Sequence, residues 1–165
     1  MADPVAVNVD VFRSGCLART PDGIRDWPVT VLLQDRASGE ILAWACDVQP
    51  ASPLVMRAWN QMLADHGAPR QCWADRGVRM RIARAAADAG AEVMTPQPGD
   101  RAHLQIEEAG LAVEMRALRD IEYGGTWTNP VPLDRYVAAV AAAVRHHNAG
   151  RAARAGTIRL VKQEG

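Results

Sequence analysis

The sequence predicts an α/β protein on a mixed five-stranded sheet: three antiparallel strands, then alternating helices and strands. Three observations carry that expectation. Three strand signals precede residue 48 with no helical period among them. Helical and strand signals alternate from there onward. With 165 residues and 48% apolar content, the chain is long enough for one domain with its own core.

Taken in order, "VAVNVDVF" (5–12) sets Val5, Val7, Val9 and Val11 against Asn8 and Asp10, the period of a strand. "RTPDGIRD" breaks it with Pro and Gly. "WPVTVLLQD" (27–35) reads as a second strand and "ILAWACD" (41–47) as a third. The Ser-Gly pair in "RASGE" makes these two a hairpin, and Asp35 reads as a turn former at the strand end. A helix should follow, with Ser52 as N-cap and Pro53 in the first position. Val55, Trp59, Met62, Leu63 and His66 share one of its faces, and Gly67 ends it with Pro69 just beyond.

"QCWAD" (71–75) is a fourth strand, "VRMRIARAAADAG" (78–90) a helix stopped by Gly90, "AEVM" (91–94) a short strand and "TPQPGD" a loop. Residues 103–121 read two ways. Leu111, Val113 and Met115 alternate as in a hairpin, whereas enrichment in Ala, Leu, Glu, Met and Arg favours a helix, which is the expectation here. "PLDRYVAAVAAAVRHHN" (132–148) is the clearest helix, with His146 and His147 at a solvated end. The boundary falls at 150, with 151–165 a basic tail or truncated linker. This order matches the ribonuclease H-like fold, in which acids on the first and fourth strands come side by side.

Lys and Arg total 19 against 19 Asp and Glu, so any contact with nucleic acid must be local. Lys162 is the only lysine; the Arg skew suits phosphate contacts, though a GC-rich genome yields the same skew. Cys16, Cys46 and Cys72 form no CxxC pair, which argues against a zinc ribbon or disulfide framework and suits a reducing cytoplasm. No basic segment leads into a signal-peptide core, and no window nears the roughly 18 apolar residues of a membrane span. Phosphate-cradling loops, a nucleophile elbow and HExxH are all missing. The five tryptophans (Trp27, Trp44, Trp59, Trp73 and Trp127) mostly fall in apolar patterns and read as core.

Carboxylates remain. Asp10 interrupts the first strand, where Asp is disfavoured, and Asp75 closes the fourth. Their separation, 75 − 10 = 65 residues, is what three strands and one helix require if those strands are neighbours. Asp75 could also simply cap the helix after it, and both acids could be solvated edge residues. Side by side they repel unless a cation sits between them, and Mg²⁺ favours such oxygen ligands.

The run "PDGIRDWPVTVLLQDRASGEILAWACDVQPASPLVMRAWNQMLADHGAPRQCWADRG" resembles the catalytic core of bacteriophage Mu-type transposases, of the DDE transposase and retroviral integrase superfamily. "TPQPGD" resembles the loop before that family's catalytic Glu helix, and "VPLDRYVAAVAAAVRHHN" its closing helix. The resemblance covers roughly residues 5 to 150. It implies a catalytic triad of Asp10, Asp75 and a Glu holding two Mg²⁺ (or Mn²⁺) ions, with DNA as substrate and a homo-oligomer as working assembly. Glu107 fits the third place best, 107 − 75 = 32 residues on, with His103 where a basic residue would stand; Glu108 and Glu114 are its rivals. Arg76 replaces the Asn usual after the second Asp and could bind phosphate or pair with Asp75. Arg76, Arg79, His103, Arg151 and Arg154 are the expected DNA contacts. The expected activity is strand cleavage and strand transfer. Two other readings stay open: a degenerate prophage-derived module that binds DNA or assembles without catalysis, and a different nuclease of the same fold, such as a resolvase.

Overall fold

The computed structural model describes residues 5–123 and 129–163, with side chains as far as Ala153. Trp127 and the side chain of Arg154 therefore lie outside the described residues. Strand β1 (Ala6–Arg13) is followed by two short strands, β2 (Ala18–Arg19) and β3 (Arg25–Asp26). The hairpin β4 (Val29–Asp35) and β5 (Ile41–Asp47) leads into α1 (Ala51–His66). Then come β6 (Gln71–Ala74), α2 (Arg76–Asp88), β7 (Glu92–Met94), α3 (Arg101–Asp120), β8 (Val131–Pro132) and α4 (Leu133–Gln163).

The main sheet has the order β5-β4-β1-β6-β7. Its first three strands are antiparallel, while β6 and β7 run parallel to β1. This is the ribonuclease H-like fold expected from the order of elements. A second, small sheet, β3-β2-β8, was not foreseen; strands of two residues leave no period to read.

Helices cover both faces of the sheet. Val7, Val9, Val31 and Leu33 point toward α1 and α2, where they meet Val55, Trp59, Met62 and Ile82. Leu32 and Cys46 point the other way, into a second core with Ile106 and Val113 of α3 and Tyr136 and Val140 of α4. Period two then places Asn8, Asp10 and Phe12 on the α3 side of β1, and Phe12 indeed packs against that second core.

Several local expectations need correction. Helix α1 begins at Ala51 after Pro50 and has no side-chain cap, so Ser52 and Pro53 lie within its first turn. Leu54 and Ala58 join the buried face, whereas Leu63 and His66 are only half-buried. Gly67 does end the helix with φ 79°, its N–H bonded to the Leu63 carbonyl. Residues 101–120 form one helix, as expected, and not the alternative hairpin. The reason is burial: Ile106, Ala109, Gly110, Val113 and Ala117 fall at helical spacing and are buried, while Leu111 and Met115 are left 62% and 55% exposed.

Helix α4 runs on to Gln163, well past 148, so the basic tail is helical that far. Contacts with the β4–β5 hairpin hold it past the expected end at 148, as far as Arg151. Asn148 bonds both the N–H and the carbonyl of Ile41 at 2.9 Å, occupying the outer edge of β5. His147, rather than sitting in solvent, places Nε2 3.0 Å from the Gly39 carbonyl. Asp35 keeps its turn role, accepting from the Ser38 N–H at 2.7 Å. No helix among the described residues is long and apolar enough to cross a membrane.

Candidate active site

Strands β1 and β6 run parallel, pairing Asn8 with Trp73 and Val9 with Ala74. One step further along the same register stand Asp10 and Asp75. Asp75 keeps extended backbone (φ −61°, ψ 170°) before the chain turns into α2. Its Oδ1 accepts from the Val78 N–H at 2.7 Å, so it caps α2 as well as facing Asp10's end of the sheet. Capping uses one carboxylate oxygen and fixes the side chain, and no hydrogen bond to the other oxygen is found among the described residues. Asp75 is exposed and Asp10 half-buried. Asp10 Oδ1 accepts from the Val11 N–H at 2.9 Å.

Helix α3 crosses the same face. Gly110 brings it close: a Cβ there would lie 3.2 Å from Asp10 Oδ2 and 3.1 Å from a ring carbon of Phe12. Glu107 lies almost one turn earlier on the stripe that faces β1. Burial pushes the Asp10 carboxyl above its ordinary range, and the charges of Glu107 and Asp75 push the same way. The Val11 N–H and His103 oppose them. Glu107 and Asp75 also line one open cleft of about 390 Å³, together with Arg76, His103, Leu104 and the 95–100 loop.

The rivals for the third acid go elsewhere. Glu114 accepts from the Gly15 N–H at 2.7 Å and anchors the turn after β1. Glu108 lines a different cleft, between α3 and α4, with Gln34, Arg116 and His146.

The basic residues divide similarly. Arg76 is exposed at the cleft, and among the described residues no ion pair joins it to Asp75. Arg79 is exposed and donates to the Thr95 hydroxyl at 3.1 Å, on the cleft's wall. His103 places Nε2 3.6 Å from Glu107 Oε1, and its buried Nδ1 has no partner among the described residues. Arg151 lies away from the acids, donating through Nε and Nη2 to the Ser38 carbonyl at 2.8 and 2.5 Å.

Sequence reasoning missed a polar cluster behind the cleft. Arg36, read only as part of a turn, bonds both Asp100 oxygens (2.7 and 2.5 Å) and Asn8 Oδ1 (2.8 Å). Its guanidinium lies 4.0 Å from the centre of the Trp73 ring. Asp100 had a legible signal, an Asp just ahead of a helical stretch, and it caps α3 at the Ala102 and His103 N–H groups. Arg36 carried none, because its partners are 28 and 64 residues away.

Three carboxylates at one end of the sheet are the donor chemistry that Mg²⁺ or Mn²⁺ takes. A half-buried acid beside two others is the charge arrangement a divalent cation relieves. The oxygens do not converge on one point, however: among the described residues no group of three His, Cys, Asp or Glu is close enough to hold an ion. The donors fit in kind and neighbourhood, and Glu107 sits beside His103 instead of reaching the aspartates.

No family model matches the chain, and no curated protein matches it in sequence. Solved structures do match. A chain of the simian T-cell lymphotropic virus intasome, solved in complex with PP2A regulatory subunit B56 gamma, superposes with a TM-score of 0.63 at 12% identity over 87% of this chain. This chain spans about half of that one, 48%. The HTLV-2 integrase catalytic core domain in complex with magnesium, in its dimeric form, gives 0.58 at 14% identity, covering 87% of this chain and 86% of that one. The catalytic core domain of BIV integrase gives 0.55 at 14% identity, covering 86% and 81%. The fold is therefore shared with integrase catalytic cores.

Proposed function

We infer that the chain is a DDE-type catalytic core of the transposase and integrase superfamily that cuts and joins DNA, with Asp10, Asp75 and Glu107 as its acids. One observation carries this reading: β1 and β6 pair in parallel as far as Val9 and Ala74, the residues just before Asp10 and Asp75, and Asp75 lines one cleft with Glu107 of α3. The fold shared with integrase cores, one of them solved with magnesium, supports it. The Mu-type segments read from residues 5 to 150 support the finer affiliation to phage-like transposases. In this reading residues 1–150 form the integrase-like catalytic core and 151–165 a basic tail or linker. The protein acts in the cytoplasm as a homo-oligomer.

The acids would hold two Mg²⁺ or Mn²⁺ ions, which supply Lewis acidity at phosphate oxygens and a more acidic bound water. The chain's own part is positioning. The cap to Val78 holds Asp75 in one orientation and engages only one of its two oxygens. Gly110 lets α3 approach until Asp10 Oδ2 is nearly in contact, which keeps Glu107 near the strand ends. Arg76 and Arg79, exposed on the first turn of α2, present guanidinium forks to DNA phosphates along the cleft.

Mn²⁺ binding followed by electron paramagnetic resonance tests this. Wild type should bind, and Asp10→Asn and Asp75→Asn should each lose binding. A wild-type protein that takes up no Mn²⁺ sinks the catalytic reading. Strand transfer on pre-cut DNA ends, abolished in Asp75→Asn, is the matching activity assay. One observation favours a second reading, a degenerate DNA-binding or assembly module: Asp75 already serves as a helix cap and no three-ligand group is formed. DNA binding that persists without any Mn²⁺ uptake would support that alternative.

A further inference from the structure

The first turns of α3 are weakly held by apolar packing. Between Arg101 and Glu108 only Ile106 is buried. Polar contacts hold this end instead, and they meet at Arg36. Its guanidinium bonds both oxygens of Asp100, the α3 cap, and also Asn8 Oδ1. Asn8 is fully buried and donates from Nδ2 to the Ala102 carbonyl at 2.7 Å. The guanidinium lies over Trp73, and the Arg36 N–H donates to the Ala6 carbonyl at 2.9 Å. One side chain therefore ties the end of β4 to β1, β6 and the start of α3.

The placement of these partners matters more than their number. Asn8 is two residues before Asp10 and Trp73 two before Asp75, so each shares a face with its acid. Glu107 lies about two turns after Asp100 on the helix that the cap starts. The clamp thus joins the three elements that carry the three acids, immediately behind them. Its geometry is strict, because a planar fork satisfies two acceptors in fixed directions and Lys cannot. The Arg36 and Asp100 side chains are only 18% and 15% exposed, so water replaces the lost bonds poorly.

We propose that Arg36 is a positioning residue, which sets where Glu107 stands relative to Asp10 and Asp75 by clamping Asp100 and Asn8 to the sheet. This rests on the acid site inferred above. Arg36→Met keeps the stem over Trp73 and removes the fork. Arg36→Lys keeps the charge and serves if the Met variant folds poorly.

Two readouts on the folded full chain test the proposal. Amide hydrogen exchange should quicken over residues 101–107 while 113–117 stay protected. Mn²⁺ affinity should fall roughly 10- to 100-fold, the usual effect of losing a residue that orients a metal ligand. The drop should match that of Glu107→Gln, and the double variant should be no weaker than either single one. Unchanged exchange in both Arg36 variants overturns the clamp. Faster exchange with wild-type Mn²⁺ affinity overturns its link to Glu107. Absence of Mn²⁺ binding in the wild type overturns the acid site itself, and the exchange result then shows separately whether the clamp exists.

Discussion

Two glycines inside helices offer a controlled measurement of how tightly α3 is pressed onto Asp10. A Cβ built at Gly110 meets Phe12 at 3.1 Å and Asp10 Oδ2 at 3.2 Å, whereas one at Gly150 in α4 meets nothing within 4 Å among the described residues. Replacing Gly by Ala in a helix interior gains about 1 kcal/mol of intrinsic preference. Gly150→Ala should therefore stabilise the fold by about 1 kcal/mol. At Gly110 the same gain is opposed by overpacking, typically about 1–3 kcal/mol. The net result runs from neutral to a loss of about 2 kcal/mol, so the two variants should differ by about 1–3 kcal/mol. Urea unfolding with unchanged slopes reads that difference directly. The Gly110→Ala protein should also bind Mn²⁺ more weakly, because moving α3 outward carries Glu107 away from Asp10. Equal stabilisation by both substitutions would refute the close approach and the positioning argument built on it.

Asp10 has its carboxyl pushed up, so the folded protein holds that proton more tightly than the unfolded chain. Stability is then lost as pH rises from the unfolded value through the raised folded one, and the loss is complete above it. Asp10→Asn should consequently raise Tm at pH 7, with the advantage vanishing at pH values below about 3.9. Asp100 behaves in the opposite sense, held below the usual carboxylate range chiefly by Arg36. Its contribution should be present above that same unfolded value and lost as pH falls through the folded one, so an Asp100→Asn melting curve should converge on wild type in strong acid. Asn148→Ala removes both bonds to Ile41 and should cost about 1–3 kcal/mol in urea unfolding, with faster exchange at the Ile41 amide. The three cysteines are buried, their thiols pushed up to about 11 at Cys16 and Cys46 and about 12 at Cys72. They should resist a thiol reagent until the protein unfolds; rapid modification of the native protein would contradict the packing.

Asp75 shows how local and distant readings of one residue can both hold. Its place before a helix suggested a cap, and the bond to Val78 is there. Its spacing from Asp10 suggested neighbouring strands, and the register of β1 and β6 supplies them. The 103–121 segment was harder, since two periods overlapped in it. Composition favoured the helix, and burial decides for it by leaving Leu111 and Met115 in solvent and covering Ala109, Gly110 and Val113. The C-terminal extent of α4 was equally hidden, because Asn148 and Arg151 gain their partners from a hairpin more than a hundred residues earlier.

The order of strands and helices in the main sheet and its layers, the β4–β5 hairpin and the candidacy of Asp10 and Asp75 follow from the amino-acid sequence alone. Each depends on periods, turn residues and spacing that act between near neighbours or along one strand. Which cleft each glutamate lines, what Arg36 grips and how α4 closes the sheet edge were decided only in three dimensions. Those outcomes turn on distances between residues such as Asn8 and Ala102, 94 positions apart. No local preference encodes such a distance. It exists once the sheet, with cores on both faces, has brought the start of α3 down onto the ends of β1 and β6.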